Sequence, residues 1–141
     1  MTDRPRNHKL EGSYYEQLFA AEALKRGIAV SWPVGDYLGF DAIIGEGNPF
    51  PRIQVKGTRG SKGHGRVNYA FHFGRGKHKR GEGSFDFLAG RVEHPDYGCW
   101  YIVPKEELKG IKTIKVYPHV PRSKSRWHPF RNAWQLLPSP K

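Results

Sequence analysis

Cysteine is almost absent: Cys99 is the only one in 141 residues, so no internal disulfide can staple the fold. No apolar signal core lies near the N-terminus, and with a single thiol this predicts a reducing, cytoplasmic setting. No apolar run approaches the ~20 residues of a membrane-spanning helix, and no basic amphipathic helix stands out. The seven histidines form no His-X3-His pair and Cys99 no Cys-X2-Cys pair, so structural zinc has no support. The chain contains no Gly-X-X-X-X-Gly-Lys-Ser/Thr, which removes P-loop nucleotide hydrolysis. It has no internal repeat. Acidic residues are few, 13 against 24 Lys and Arg, for a formal charge of +11. Such a balance points to a polyanionic partner, first of all nucleic acid. Aromatics make up 13% of the residues, more than a disordered basic tail would carry, so the charge decorates a folded body.

At this length the chain is expected to form one domain over residues 1–141. Residues 1–9 are expected to be a flexible basic arm and 118–141 a C-terminal extension with a short helix. Ser13 to Arg26 reads as a helix ended by Gly27. Leu18, Ala21 and Leu24 form part of a core face. A neighbouring stripe of Gly12, Glu16, Phe19, Ala20, Ala23 and Gly27 is small or apolar except at Glu16. Ser13-Tyr14-Tyr15-Glu16 also matches a capping box, which would explain Glu16 as a helix-start residue instead.

The most informative stretch is Phe40 to Thr58. Phe40 to Ile44 and Ile53 to Thr58, separated by a turn-rich Gly45 to Pro51, read as a β-hairpin. Period-two alternation puts Gln54 and Lys56 on one face. If Gly45 to Phe50 form the loop and Ile44 pairs with Pro51, Asp41 sits directly opposite Gln54, roughly 5 Å away across the pair. A carboxylate, an amide and an ammonium then share one patch. The plain alternative is an exposed polar face with a surface Asp41–Lys56 salt bridge.

The spacing Asp-Xn-Gln-X-Lys, from Asp41 through Gln54 to Lys56 and preceded by a helix with an inward Glu16, resembles the PD-(D/E)XK nuclease superfamily. Within it, the group I intron-encoded homing endonucleases with a Gln-X-Lys motif are most similar, and Holliday junction resolvases more distantly so. The resemblance runs from about Gly12 to Val103. It implies an α/β, restriction-endonuclease-like fold, a mixed sheet with an antiparallel meander from Ile28 to Thr58 flanked by helices. It also implies a magnesium-dependent DNA endonuclease, with manganese able to substitute, acting as a homodimer or larger assembly in the cytoplasm or nucleoid. Asp41, the Val55 carbonyl and Glu16 would hold the metal, Gln54 would contribute its oxygen or position a water, and Lys56 would orient the attacking water. Gln54 stands where the commoner motif has an acid. That departure leaves open a nuclease-like fold that binds nucleic acid without cutting it.

Beyond the hairpin, Arg59 to Gly65 reads as a basic loop and Arg66 to Phe73 as a strand. Phe85 to Val92 fits a strand, or at Phe85 to Ala89 a short helix capped by Ser84. Tyr97 to Val103 and Thr113 to Tyr117 read as strands, with a helical turn at Lys105 to Leu108 between them. Arg59, Lys62, Arg75, Lys77, Lys79, Arg80, Arg122, Lys124 and Arg126 are the candidate nucleic-acid contacts. Trp127 beside Arg126 adds an aromatic to that set. Asp86 is the one further acid able to approach the site, and a strand-end or cap hydrogen bond explains it equally well. Phe130, Ala133, Trp134 and Leu137 are spaced for a C-terminal helix face docked on the core or on a second subunit. Cys99 reads as a small buried residue.

Overall fold

The computed structural model describes residues 7–34, 39–46, 50–63, 66–73 and 85–138. Its one α-helix among these, α1, spans His8–Lys25. Asn7 is its N-cap, the side-chain oxygen accepting from the Lys9 and Leu10 N–H groups at 3.1 Å each. The helix therefore starts ahead of Ser13, inside the expected basic arm, and the capping-box explanation of Glu16 falls away. At the other end Gly27 takes φ 79. Its N–H reaches the Leu24 carbonyl and the Ile28 N–H the Ala23 carbonyl, the double bond pattern of a Schellman stop.

The buried face of α1 is Tyr15, Phe19, Ala20 and Ala23. The expected core face at Leu18, Ala21 and Leu24 is a correction: Leu18 is partly buried, Ala21 is exposed and Leu24 is 60% exposed. The small side chains of Ala20 and Ala23 let the helix approach closely along the neighbouring stripe, which larger residues would prevent.

Among the described residues eight strands follow: β1 (Val30–Ser31), β2 (Ala42–Ile44), β3 (Arg52–Thr58), β4 (Ser61–Gly63), β5 (Arg66–His72), β6 (Phe87–Val92), β7 (Cys99–Pro104) and β8 (Thr113–Val116). The first sheet has the order β1-β2-β3-β6-β7 and the second β4-β5-β8. Antiparallel pairing of β1 with β2 and of β2 with β3 makes the expected meander, while β6 adds to β3 in parallel. The α/β, restriction-endonuclease-like fold with a mixed sheet is thus present. Part of the expected basic loop is strand, since Ser61 to Gly63 pairs with Asn68 to Arg66; residues 64 and 65 lie outside the described set. Phe87 to Val92 is strand rather than helix because it is clamped between β3 and β7.

Two cores flank the first sheet, and the strand alternation assigns residues to them. Ala89, Trp100 and Ile102 join Ala42, Ile44, Ile53 and Val55 under α1. Leu88, Val92, Tyr101 and Val103 face the other way, onto Tyr69, Phe71, Ile114 and Val116 of the second sheet. The layers are helix, sheet and sheet. No helix among the described residues is long and apolar enough to cross a membrane.

The C-terminal segment is a further correction. It forms two 3-10 turns, His128–Phe130 and Trp134–Leu136, rather than one helix. The extended backbone of Arg131 and the positive φ of Asn132 (51°) interrupt it. Asn132 instead completes the outer edge of β7, its N–H donating to the Trp100 carbonyl at 2.6 Å and its side chain accepting from the Trp100 N–H at 3.1 Å. Trp134 then docks on Phe19 and Trp100, with all three ring centroids 5.8 Å apart. Trp127 is buried in the second core beneath the Arg126 guanidinium, so it is packing material and not a stacking platform.

Candidate active site

The hairpin has the expected register. Ala42 pairs with Ile53 and Ile43 with Arg52, and the Ile44 N–H reaches the Pro51 carbonyl at 3.0 Å. Strand β2 begins at Ala42, one residue after the carboxylate of interest. Asp41 Oδ2 accepts from Gln54 Nε2 and from the Val55 backbone N–H, each at 2.8 Å. A side chain thereby takes the place of a backbone partner that β2 does not extend far enough to supply, and this plants a carboxylate at the sheet edge. In an extended strand the N–H and C=O of one residue leave on the same edge, so the Val55 carbonyl faces this opening too.

Glu16 enters from α1. Its approach depends on Tyr15, whose ring fills the space above Gly57 where any other residue would carry a Cβ. Glu16 and Asp41 meet closely enough to share a hydrogen bond. Burial, the Asp41 charge and that hydrogen bond push the Glu16 carboxyl up to about 7. Asp41 is raised as well, by burial, against the opposing pull of the Val55 N–H, the Lys56 ammonium and Glu16. The two carboxyls are thus a half-desolvated pair with the Lys56 ammonium in range.

The structure brings Glu16, Asp41, Gln54, Val55 and Lys56 together. Among the described residues no group of three or more His, Cys, Asp or Glu side chains is placed to hold a metal. Any ion here therefore relies on two carboxylates, a backbone carbonyl and an amide. These are hard oxygen donors that suit magnesium or manganese.

Asp86 lies elsewhere. It accepts from the Arg52 N–H at 2.8 Å and pairs with the Arg52 guanidinium at 3.2 Å and Lys105 at 3.4 Å. Burial alone would raise it, but these partners outweigh burial and hold it below the usual carboxylate range. The strand-end reading of Asp86 is the one observed.

Among the described residues, the candidate nucleic-acid contacts lie on several separate elements. Arg59 lies over the Tyr14 ring, 5.9 Å from its centroid. Lys62 on β4 is exposed opposite Val67. Arg122 is exposed in a turn, Lys124 is exposed in irregular backbone, and Arg126 pairs with Glu107 at 3.6 Å. Arg75, Lys77, Lys79 and Arg80 lie outside the described residues.

Sequence reasoning missed a charged cluster beside the site. Glu93 accepts from the Tyr14 hydroxyl and pairs with Arg91 at 3.0 Å, with Arg59 close by. Nothing in the local pattern around Glu93 marks it. Gly57, by contrast, sits inside a strand next to Lys56, and a glycine there signals a close backbone approach.

The family model for PD-(D/E)XK endonucleases matches residues 6–137. The chain belongs to this family. Among solved structures, the chain is similar to a bacterial homing endonuclease, I-Ssp6803I, at 27% identity and TM-score 0.75, over 94% of this chain and 91% of that one. It also matches the Archaeoglobus fulgidus Holliday junction resolvase Hjc at 19% identity and TM-score 0.45, over 75% of this chain and 83% of that one. No curated protein matches it.

Proposed function

We propose that this protein hydrolyses phosphodiester bonds in DNA with a divalent metal, most simply magnesium. The observation that carries the reading is the meeting of Glu16 and Asp41 at the edge just ahead of β2. Two crowded, partly desolvated carboxyls with raised pKa values are stabilised by a cation between them. Asp41, the Val55 carbonyl and Glu16 would hold the ion, and Gln54 would offer its side-chain oxygen. When bound, the ion supplies Lewis acidity at the scissile phosphate.

The chain's own residues do the rest. The Val55 N–H and the Gln54 amide fix the orientation of Asp41. Lys56, which shares a strand face with Gln54 and stabilises Asp41 electrostatically, orients the attacking water and offsets charge developing on the phosphate. Packing of Tyr15 on Gly57 holds Glu16 at working depth. Cutting both strands of a duplex favours a homodimer or larger assembly, each subunit contributing one site.

Supercoiled plasmid incubated with purified protein tests this directly. Nicked or linear product is expected with magnesium and none with chelator, and Asp41→Asn and Lys56→Ala should be silent while melting and binding DNA normally. Binding without cutting under every divalent ion would leave a nuclease fold that serves only as a nucleic-acid module. Cleavage retained in both variants would move the chemistry to another site.

A further inference from the structure

We propose that the outer face of the β4-β5-β8 sheet is a docking surface for double-stranded nucleic acid. The inference deepens the nuclease reading by assigning where substrate lies, and it rests on that reading for its partner.

The chain has no Asp or Glu between Glu46 and Glu82, and none after Glu107. These two acid-free segments are remote in sequence, but the fold joins them. Strands β4 and β5 come from the first and β8 from the second, paired from Tyr69 with Val116 to His72 with Thr113. Tyr69, Phe71, Ile114 and Val116 point inward and are buried. Alternation therefore turns Arg66, Asn68, Ala70, His72, Thr113 and Lys115 outward, and of these Arg66, Asn68, His72 and Lys115 are exposed. Ser61 and Gly63 stand opposite Asn68 and Arg66, so the neighbouring strand adds no bulk there. A 2.9 Å bond between His72 Nδ1 and Thr113 Oγ1 ties β5 to β8 across the exposed face.

Charge selects a polyanion: among the described residues of this face there are cations and polar groups and no acid. The opposite layer differs, since α1 carries Glu11 and Glu22 as well as its lysines. Shape selects a duplex. Within this three-stranded sheet the antiparallel β5-β8 pair is the two-stranded unit that the ~12 Å-wide major groove admits, and its polar side chains meet the base edges and phosphates. Single-strand binders need a row of exposed aromatic faces. Here the strands offer polar groups, and Tyr117 stands just beyond the end of β8.

The test is fluorescence anisotropy of the full chain with a short labelled duplex, in chelator so that nothing is cut, across a series of KCl concentrations. Arg66→Ala/Lys115→Ala is expected to bind more weakly and to flatten the log–log salt slope by about 1.8, or 0.9 for each phosphate that the variant no longer neutralises. Lys9→Ala/Lys25→Ala on α1 removes the same charge from the opposite layer and should keep the parent slope. All four side chains are exposed, so each double variant should melt with the parent. Equal weakening in both, or no change in the first, overturns the proposal. So does a single strand, or a phosphatidylserine vesicle, that depends on Arg66 and Lys115 more strongly than the duplex does. Asp41→Asn separates the two claims: cleavage abolished with the salt slope intact supports both. If the parent protein binds through this face yet cuts nothing under magnesium, the nuclease reading fails and this one stands.

Discussion

The ring of Tyr15 occupies the space where Gly57 would carry a Cβ, and the next residue on each element, Glu16 on α1 and Lys56 on β3, belongs to the candidate site. One contact thus sets the depth of the helix and the reach of its carboxylate.

Gly57→Ala is expected to overpack this contact, costing about 1–3 kcal/mol of stability, and to lower cleavage further than stability alone explains. Gly57→Ala/Tyr15→Ala should lose less than the sum of the single changes, since residues in contact couple by about 0.5–3 kcal/mol. Thermal melts and plasmid cleavage of the three variants check it. Strict additivity would show that the ring does not set the helix position.

Gln54→Glu replaces the amide that donates to Asp41 with a third acid beside the carboxyl pair. Without divalent ions it should melt below the parent, and magnesium or calcium should restore it, because like charges this close need a cation or a proton. Gln54→Ala should show no such rescue. Melting curves with chelator and with each ion decide the matter, and a metal-indifferent Gln54→Glu counts against the metal site.

The pH dependence of the metal-free protein follows from Glu16. Its folded pKa, about 7, lies above the ordinary 4.5. A raised carboxyl contributes stability that is present below the unfolded value and lost as pH rises through the folded one. The stability of the parent in chelator should therefore fall between about pH 4.5 and 7, with the Asp41 shift acting in the same direction. Glu16→Gln cannot ionise and should gain on the parent across that window. Melts at about pH 5 and about pH 8, on either side of the folded value, measure it. An identical pH response in the two proteins would show that Glu16 does not face Asp41.

Asp86 has the opposite sign. Its pKa is held low by Arg52 and Lys105 despite burial, so its contribution is present at neutral pH and lost as pH falls through the depressed value. Asp86→Ala also strips an acceptor from the Arg52 N–H at the start of β3, a loss of about 1–3 kcal/mol. It should lower the melting temperature at neutral pH and matter much less in acid. An equal deficit under both conditions would mean that the ion pairs contribute nothing.

Local rules were strong where one hydrophobic face and one turn sufficed. Alternation at Ile53 and Val55 fixed which way Gln54 and Lys56 point, because a slip of one residue would take both apolar side chains out of the core under α1. The loop before Pro51 then set Asp41 opposite Gln54. The face of α1 was less legible, since Leu18, Ala21 and Leu24 make as good a periodic stripe as Tyr15, Phe19 and Ala23. Only the depth available over Gly57 chose between them. The C-terminal spacing of Phe130, Ala133, Trp134 and Leu137 suggested a helix, but pairing with the edge of β7 competed for the same backbone groups and won.

By itself, then, the sequence determined the hairpin, its register, the motif from Asp41 to Lys56 and the excess of positive charge. These depend on neighbours within about twenty residues, where side-chain period and turn chemistry act directly. The tertiary structure delivers Glu16 to Asp41 as the resemblance implied, and it alone decided that Glu93 pairs with Arg91 beneath Tyr14. It alone joined two acid-free segments into one exposed sheet. Those contacts arise from how α1 and the second sheet pack on opposite faces of the first, and packing between distant segments leaves no periodic trace in either one.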